Sequence, residues 1–179
     1  PSLEKLVRSK FVPDDQYDGY YLNRYIPKRT GNQDFNSEMI LKLKSRDSKA
    51  VTHFLAQLEP LQSCEFSVCT VPGHDPSQGK SGIRMLAHEL GKNRSINDIS
   101  EELIRTKRIE KKSLGGLREL SADLKSLKVL SGNAFLGQEI LILDDIATTW
   151  TSVKAARKVV ESQGLPRELV PLVLGRTMS

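Results

Sequence analysis

The sequence predicts an α/β protein with a mainly parallel sheet flanked by helices. A small N-terminal flap or hood (residues 1–36) precedes the α/β domain (residues 37–179). Short apolar runs typical of buried strands, such as residues 139–143 and 169–174, alternate with stretches whose apolar residues recur at helical spacing. The chain has 179 residues, 38% hydrophobic and 27% charged, as expected of a folded domain with a sizeable core. This alternation of strands and helices indicates βαβ units.

The individual elements follow from apolar spacing and from residues that start or stop helices. The N-terminal segment is irregular, and its aromatic stretch at residues 17–25 predicts a hairpin or an extended flap. Asp47 and Ser81 are suited to begin helices, and Gly91 and Gly164 to end them. The predicted helices lie between residues 37 and 60 (one short, one longer) and at 83–91, 117–130 and 153–163, and the predicted strands at 65–71, 139–143 and 169–174.

The charge balance is basic, with a formal net charge of +5. This excess attracts anionic ligands, from phosphorylated sugars to nucleic acid, without selecting among them, and a solvated lysine-rich surface explains it equally well. A basic run at residues 105–112 is followed by a glycine pair within residues 113–116, which predicts an exposed, mobile loop. Residues 97–104, just before this run, fit either a helix or a strand.

Cysteine usage and hydropathy argue against several classes of protein. Cys64, Cys69 and the three histidines do not have the spacing of a structural zinc site. Two thiols flanking an apolar stretch fit a buried strand in a reducing compartment. No apolar run reaches the roughly 18 residues of a membrane span, and no signal sequence opens the chain. We therefore expect a cytoplasmic protein that has no membrane partner and no metal ligands of its own.

The stretch at residues 140–152, ILILDDIATTWTS, carries the chemistry. An apolar strand leads into Asp144 and Asp145, whose carboxylates are acceptors suited to the vicinal hydroxyls of a ribose. Backbone N–H groups at the start of the next helix favour a phosphate. Each polar residue taken singly fits a turn or a helix cap, but the ordered combination indicates a ribose 5-phosphate site. The hydroxyl side chains of this stretch are those of Thr148, Thr149, Thr151 and Ser152.

Residues 144–151, DDIATTWT, resemble the signature of type I phosphoribosyltransferases, D-D-x-x-T-T-G-x-T. The most similar branch is the competence-associated, amidophosphoribosyltransferase-like ComF type. Looser similarities lie at residues 40–47, at 71–81 and at 114–120, so the resemblance covers about residues 37 to 177. It implies a Rossmann-like sheet of the type I phosphoribosyltransferase fold and, as in many relatives, the possibility of a homodimer.

The resemblance also implies a glycosyltransferase activity, in which 5-phosphoribosyl-1-pyrophosphate gives its ribosyl group to a nitrogen acceptor. Asp144 and Asp145 would act on the ribose as catalytic residues, and Mg²⁺ would be held through pyrophosphate and ribose oxygens. Cations for the pyrophosphate would come from Lys80 and from Arg105 and Lys107 of the basic run. The 5-phosphate would be bound by Ala147, Thr148, Thr149, Trp150, Thr151 and Ser152.

Two departures from the family pattern keep other functions open. The chain lacks the cysteine-rich zinc ribbon that often begins ComF-type proteins, and Trp150 stands where the motif has glycine. Trp150 reshapes the loop, covers the site, or marks a pocket that no longer binds. One alternative is therefore a catalytically inactive nucleotide-binding module that regulates a larger complex. A second is a protein that binds single-stranded nucleic acid by stacking bases on tyrosines such as Tyr17, Tyr20 and Tyr21.

Overall fold

The computed structural model describes residues 2–109 and 120–178. Its strands are β1 (Val12–Pro13), β2 (Tyr20–Tyr25), β3 (Phe66–Thr70), β4 (Ile96–Asp98), β5 (Leu103–Arg105), β6 (Leu127–Val129), β7 (Glu139–Ala147) and β8 (Glu168–Thr177). The main sheet has the order β1-β2-β8-β7-β3-β4, in which the described strands pair in parallel except at β1–β2. A separate antiparallel pair joins β5 to β6. The predicted mainly parallel α/β architecture is confirmed.

Helices flank this sheet, and several begin where capping residues predict. They are α1 (Leu3–Lys10), α2 (Phe35–Lys44), α3 (Ser48–Gln57), α4 (Gly82–Leu90), α5 (Leu120–Ser126) and α6 (Thr151–Gly164). The Asp47 side chain accepts hydrogen bonds from backbone N–H groups of α3, and Ser81 does the same for α4. Gly91 ends α4 as predicted. No helix within the described ranges is long and apolar enough to cross a membrane.

The core lies on both faces of the central strand β7. Leu141 and Leu143 belong to a cluster with side chains from α1 to α4, whereas Ile140 and Ile142 belong to a cluster with α6 and the β5–β6 pair. Successive strand residues point to opposite faces, so an unbroken apolar run is what a strand covered on both sides requires. Each of these side chains is fully buried, which stabilises the fold by about 1.5–3 kcal/mol apiece.

Both cysteines are buried, and Cys69 lies within β3. Burial raises the pKa of the Cys69 thiol to about 12. The predicted buried strand is confirmed: β3 begins two residues after Cys64, and Cys69 lies within it.

Two predictions from apolar spacing are wrong. The predicted helix at residues 117–130 ends at Ser126, and residues 127–129 form β6 because they pair with β5 while Leu127 and Val129 are buried. The first 35 residues, predicted to be irregular, also contain α1; Leu3, Leu6 and Val7 have helical spacing and are buried, but this eight-residue signal was missed. Residues 97–104, which fit either element, contain parts of β4 and β5 around a short 3₁₀ turn. The glycine pair and residues 110–112 of the basic run lie outside the described residues.

Strand β7 extends beyond the predicted end at residue 143. Its parallel register with β8 continues from Glu139–Glu168 to Ala147–Arg176, so that Asp144 and Asp145 lie inside the strand. The prediction that the paired aspartates follow the strand in a turn is therefore wrong. Pairing with a long neighbouring strand outweighs the poor strand propensity of aspartate.

The N-terminal segment contributes to the same sheet. β2 pairs in parallel with β8 from Tyr20–Leu172 to Tyr25–Thr177, and β1 adds an antiparallel edge strand. Leu3 and Val7 of α1 are fully buried in the cluster beneath α1 to α4. The boundary expected at residue 36 falls at the start of α2.

Candidate functional site

The paired aspartates and the hydroxyl residues that follow them lie at the carboxyl edge of the parallel sheet. β3 ends at Thr70, which pairs with Leu143, while β7 continues to Ala147. The backbone N–H of Val71 still donates to the Leu143 carbonyl at 3.1 Å. The β3 loop (residues 71–81) therefore starts beside the paired aspartates, and the β7 loop (residues 148–150) follows them. Ligands of open α/β sheets bind in crevices at this edge.

Asp145 forms an ion pair that the sequence did not predict. The Lys44 ammonium, at the end of α2, lies 3.2 Å from Asp145 Oδ1, and the Lys44 side chain is 45% exposed. Burial disfavours the charged form of Lys44, but the carboxylates of Asp145 and Asp144 outweigh it and raise the pKa of Lys44. The only sequence signal for Lys44 was the lysine-containing similarity at residues 40–47.

The β7 loop presents hydroxyl groups at the start of α6. Thr148 and Thr149 are exposed, and Thr149 Oγ1 lies 2.8 Å from Thr151 Oγ1. Ser152 lies within the first turn of the helix, whereas Ala147 is buried at the end of β7. Trp150 supplies no side-chain cap to the helix. The hydroxyls and the positive end of a 14-residue helix thus share one exposed face.

Trp150 keeps the backbone conformation that a glycine favours. Its φ is 58° and its ψ is 6°, in the left-handed region. The indole is 2% exposed and packs on Tyr17, with ring centroids 4.9 Å apart. A Cβ on Gly19 would lie 3.0 Å from the indole, so any larger residue here would press on the ring. Because Thr148 and Thr149 remain exposed, the indole does not cover them.

A buried arginine holds the β7 loop from inside. Arg176 Nη1 donates to the carbonyls of Thr148 and Thr177, each at 2.6 Å, and more weakly to that of Ala147 at 3.4 Å. Its Nε donates to Asp14, and the two side chains are 4% and 2% exposed. Burial alone would raise the pKa of Asp14, but hydrogen bonds from Arg176 and the backbone N–H of Gln16 hold it below its ordinary value.

A second buried arginine holds the β3 loop. Arg105 donates from Nε to the Gly73 carbonyl at 2.6 Å and from Nη2 to the Pro72 carbonyl at 3.2 Å. Its Nη1 lies 3.1 Å from Asp123 Oδ1, and its side chain is 1% exposed. The prediction that the basic run is an exposed loop is therefore wrong at Arg105, because Arg105 belongs to β5 and its charge is neutralised inside the protein. Its guanidinium contacts backbone carbonyls, the Asp123 carboxylate and the Ser126 hydroxyl inside the protein.

The other predicted cations lie at the surface. Lys107 is exposed, and Lys80 lies 3.6 Å from Glu101 in an exposed ion pair. Exposed pairs of this kind hold their partners weakly, so Lys80 remains available to an anion. The basic segment also follows the β3 loop closely, since the N–H of Ile109 donates to the His74 carbonyl at 2.9 Å.

The chain matches no protein-family model and no curated protein. The site must therefore be interpreted from its own residues. Within residues 2–109 and 120–178, no cluster of three or more histidine, cysteine, aspartate or glutamate side chains is placed to hold a metal ion.

The aromatic N-terminal segment has a structural use. Tyr20 and Tyr21 are buried, and Tyr17 packs on Trp150. These three rings are therefore occupied inside the protein, and base stacking on them would require the segment to unfold. Tyr25 is partly buried against the core as well.

Proposed function

We propose that this chain is a phosphoribosyltransferase-like protein that binds the ribose 5-phosphate part of 5-phosphoribosyl-1-pyrophosphate or of a nucleotide. One observation carries the proposal: Asp144 and Asp145 lie at the carboxyl edge of a parallel sheet and are followed at once by an exposed hydroxyl loop at a helix N-terminus. Acceptors for sugar hydroxyls and donors for a phosphate are thus a few residues apart.

The strand arrangement supports an assignment to the type I phosphoribosyltransferase fold. The site lies on β7, which is central in the sheet and has parallel neighbours on both sides. The β3 loop and the β7 loop both leave this edge of the sheet. Open α/β sheets hold phosphorylated ligands at such an edge.

Transfer of the ribosyl group would follow from the charges at this edge. The bond between C1′ of the ribose and pyrophosphate breaks, the pyrophosphate leaves with the electron pair, and a nitrogen acceptor bonds to C1′ and releases a proton to solvent. Positive charge develops on the sugar during this displacement, and the Asp144 and Asp145 carboxylates stabilise it. The ammonium of Lys44, 3.2 Å from Asp145 Oδ1, would interact with an oxygen of the leaving group.

Mg²⁺ would neutralise charge on the pyrophosphate. Carboxylate oxygens such as those of Asp144 are the ligand type that Mg²⁺ prefers, and the ion usually keeps several water and phosphate ligands. An arrangement with few protein ligands fits the donor set of this site.

Calorimetric titration with 5-phosphoribosyl-1-pyrophosphate and Mg²⁺ tests the proposal. We expect saturable binding by the wild type and its loss in an Asp144→Asn/Asp145→Asn double variant. The control is Asp18→Asn, because Asp18 is exposed and lies on the N-terminal segment. Absence of binding by the folded wild type, or equal binding by the double variant, would reject the site.

A binding module without transferase activity is the second candidate, and the Lys44–Asp145 ion pair favours it. A carboxylate that is already neutralised by a lysine stabilises positive charge on the sugar less well. Release of pyrophosphate in the presence of ammonia or free bases separates the two functions. Binding without any release identifies the module, whereas acceptor-dependent release identifies the enzyme.

A further inference from the structure

The Arg176 side chain directs its donors toward the interior of the protein. It is 4% exposed, and its guanidinium contacts the carbonyls of Ala147, Thr148 and Thr177 and the side chains of Asp14 and Gln16. The two carbonyls at residues 147 and 148 belong to the last peptide of β7 and the first of the β7 loop. A buried charge of this kind is retained only when its donors are satisfied.

We propose that Arg176, fixed by Asp14, is a positioning residue that sets the β7 loop for ligand binding and couples the N-terminal segment to it. This inference rests on the proposed function, since the ligand in question is a ribose 5-phosphate.

The geometry of the peptide bond explains how Arg176 acts. In a trans peptide the carbonyl of one residue and the N–H of the next point in opposite directions. Because the carbonyls of Ala147 and Thr148 point to Arg176, the N–H groups of Thr148 and Thr149 point away from it. Both threonines are exposed, so these donors face the side from which a phosphate approaches.

The left-handed backbone conformation of Trp150 is unfavourable for a large residue, so the loop must be stabilised by its surroundings. A large side chain persists in this region only where its surroundings fix it. The indole packs on Tyr17 and Gly19, in the same turn that carries Asp14, whose N–H donates to the Gly19 carbonyl at 2.9 Å. Arg176 below the loop and this turn beside it together determine the loop's conformation.

Lysine cannot replace Arg176. A guanidinium reaches two carbonyls and a carboxylate through a planar fork, whereas an ammonium on a flexible stem is a single point charge. Arg176→Lys keeps the positive charge but removes the planar guanidinium that contacts several acceptors at once. Asp14→Asn keeps Arg176 but replaces the carboxylate that pairs with it by a neutral amide.

The test uses Arg176→Lys and Asp14→Asn, with Arg167→Lys as the matched control. Arg167 is also an arginine in an ion pair, 2.9 Å from Glu139 Oε1, but it is 67% exposed and its partner lies at the opposite end of β7 from the β7 loop. Trp150 is the only tryptophan of the chain, so its fluorescence reports on the β7 loop without any ligand.

We expect both test variants, folded by circular dichroism, to show emission shifted to longer wavelength and stronger acrylamide quenching than Arg167→Lys. We expect their affinity for ribose 5-phosphate, measured by calorimetry, to fall roughly tenfold. Unchanged shielding of Trp150 and unchanged affinity in both variants would overturn the inference. A third outcome is that Trp150 becomes exposed in the variants while the wild type itself does not bind ribose 5-phosphate. This outcome would support the positioning role and reject the proposed function.

Discussion

The β3 loop and the β7 loop are held by the same device and differ in how much of each loop it holds. Each is contacted from inside by a buried arginine that is paired with a buried aspartate: Arg105 with Asp123, and Arg176 with Asp14. In the β3 loop the arginine holds only the carbonyls of residues 72 and 73, and residues 76–80 beyond them are exposed. In the β7 loop it holds the start, and the buried Trp150 fixes the end.

This difference indicates that the two loops have different roles. The β7 loop is short and determined at both ends, so its donors are preorganised, which lowers the cost of ordering them around a ligand. The β3 loop is longer and its middle, residues 76–80, is exposed, so this part can adapt to a ligand whose size varies. A constant ribose 5-phosphate at the first loop and a variable or leaving group at the second would fit this arrangement.

Truncation of Arg105 is expected to have the largest effect on stability. Arg105→Ala leaves Asp123 as an uncompensated buried charge, and such losses cost about 3–5 kcal/mol. Urea denaturation measures the change in the free energy of unfolding. The control is Arg108→Ala, because Arg108 is 75% exposed and pairs with Asp75 at 3.7 Å. Equal denaturation midpoints for the two variants would show that the β3 loop does not depend on its arginine.

The far end of the β3 loop is expected to be sensitive to a single methyl group. A Cβ on Gly82, the first residue of α4, would lie 1.7 Å from the backbone oxygen of Leu43, which has no room to move. We expect Gly82→Ala to destabilise the protein by about 3 kcal/mol. Gly79→Ala, where no atom lies within 4 Å, should leave the thermal midpoint unchanged. If both variants melt together, α4 does not pack against α2 as described.

Restoring the motif glycine tests the anchored end of the β7 loop. Trp150→Gly relieves about 1–2 kcal/mol of left-handed strain, but loss of the buried indole costs about 3–5 kcal/mol. We therefore expect a net loss of about 2–3 kcal/mol in the free energy of unfolding. Ligand affinity should change little, since glycine adopts the same backbone conformation. A more stable glycine variant would show that the indole strains the loop instead of anchoring it.

Acid titration is expected to give the smallest effect. The pKa of Asp14 is lowered from its ordinary value of 3.8, so its contribution to stability is fully present above pH 3.8 and is lost as the pH falls through the lowered pKa. Asp14→Asn should therefore reduce the slope of stability against pH in that acidic window and leave the slope at neutral pH unchanged. Thermal melts of wild type and variant at a series of pH values measure both slopes. Identical slopes in acid would remove Asp14 from the anchor.

The sequence predicted the mainly parallel α/β architecture because it depends on local patterns. The apolar run before Asp144 identifies a strand covered on both faces, and Ser81 and Gly91 mark helix ends through local hydrogen bonds. The extension of β7 through Asp145 was missed because it depends on pairing with β8. β6 was also missed, because its residues have helical spacing in the sequence but pair with β5 in the structure.

The sequence could not show which charged side chains are buried in ion pairs. Arg105 and Lys107 belong to the same basic run, yet one is buried against Asp123 and the other is exposed. Arg176 gave no sequence signal, because it stands alone near the end of an apolar strand and its partner Asp14 is far away in the chain. Long-range ion pairs are set by the tertiary fold, and periodicity carries no information about them.

Because both cysteines are buried, we expect them to react only slowly with maleimide dyes. Cys64 and Cys69 are both buried, and burial raises the pKa of both thiols, that of Cys69 to about 12, so little reactive thiolate is present at neutral pH. Cysteines introduced at exposed Thr149 and Ser77 would therefore be the reactive positions without removal of either native thiol. With a donor and an acceptor fluorophore at these two positions, single-molecule energy transfer would record how the tip of the β3 loop moves relative to the β7 loop.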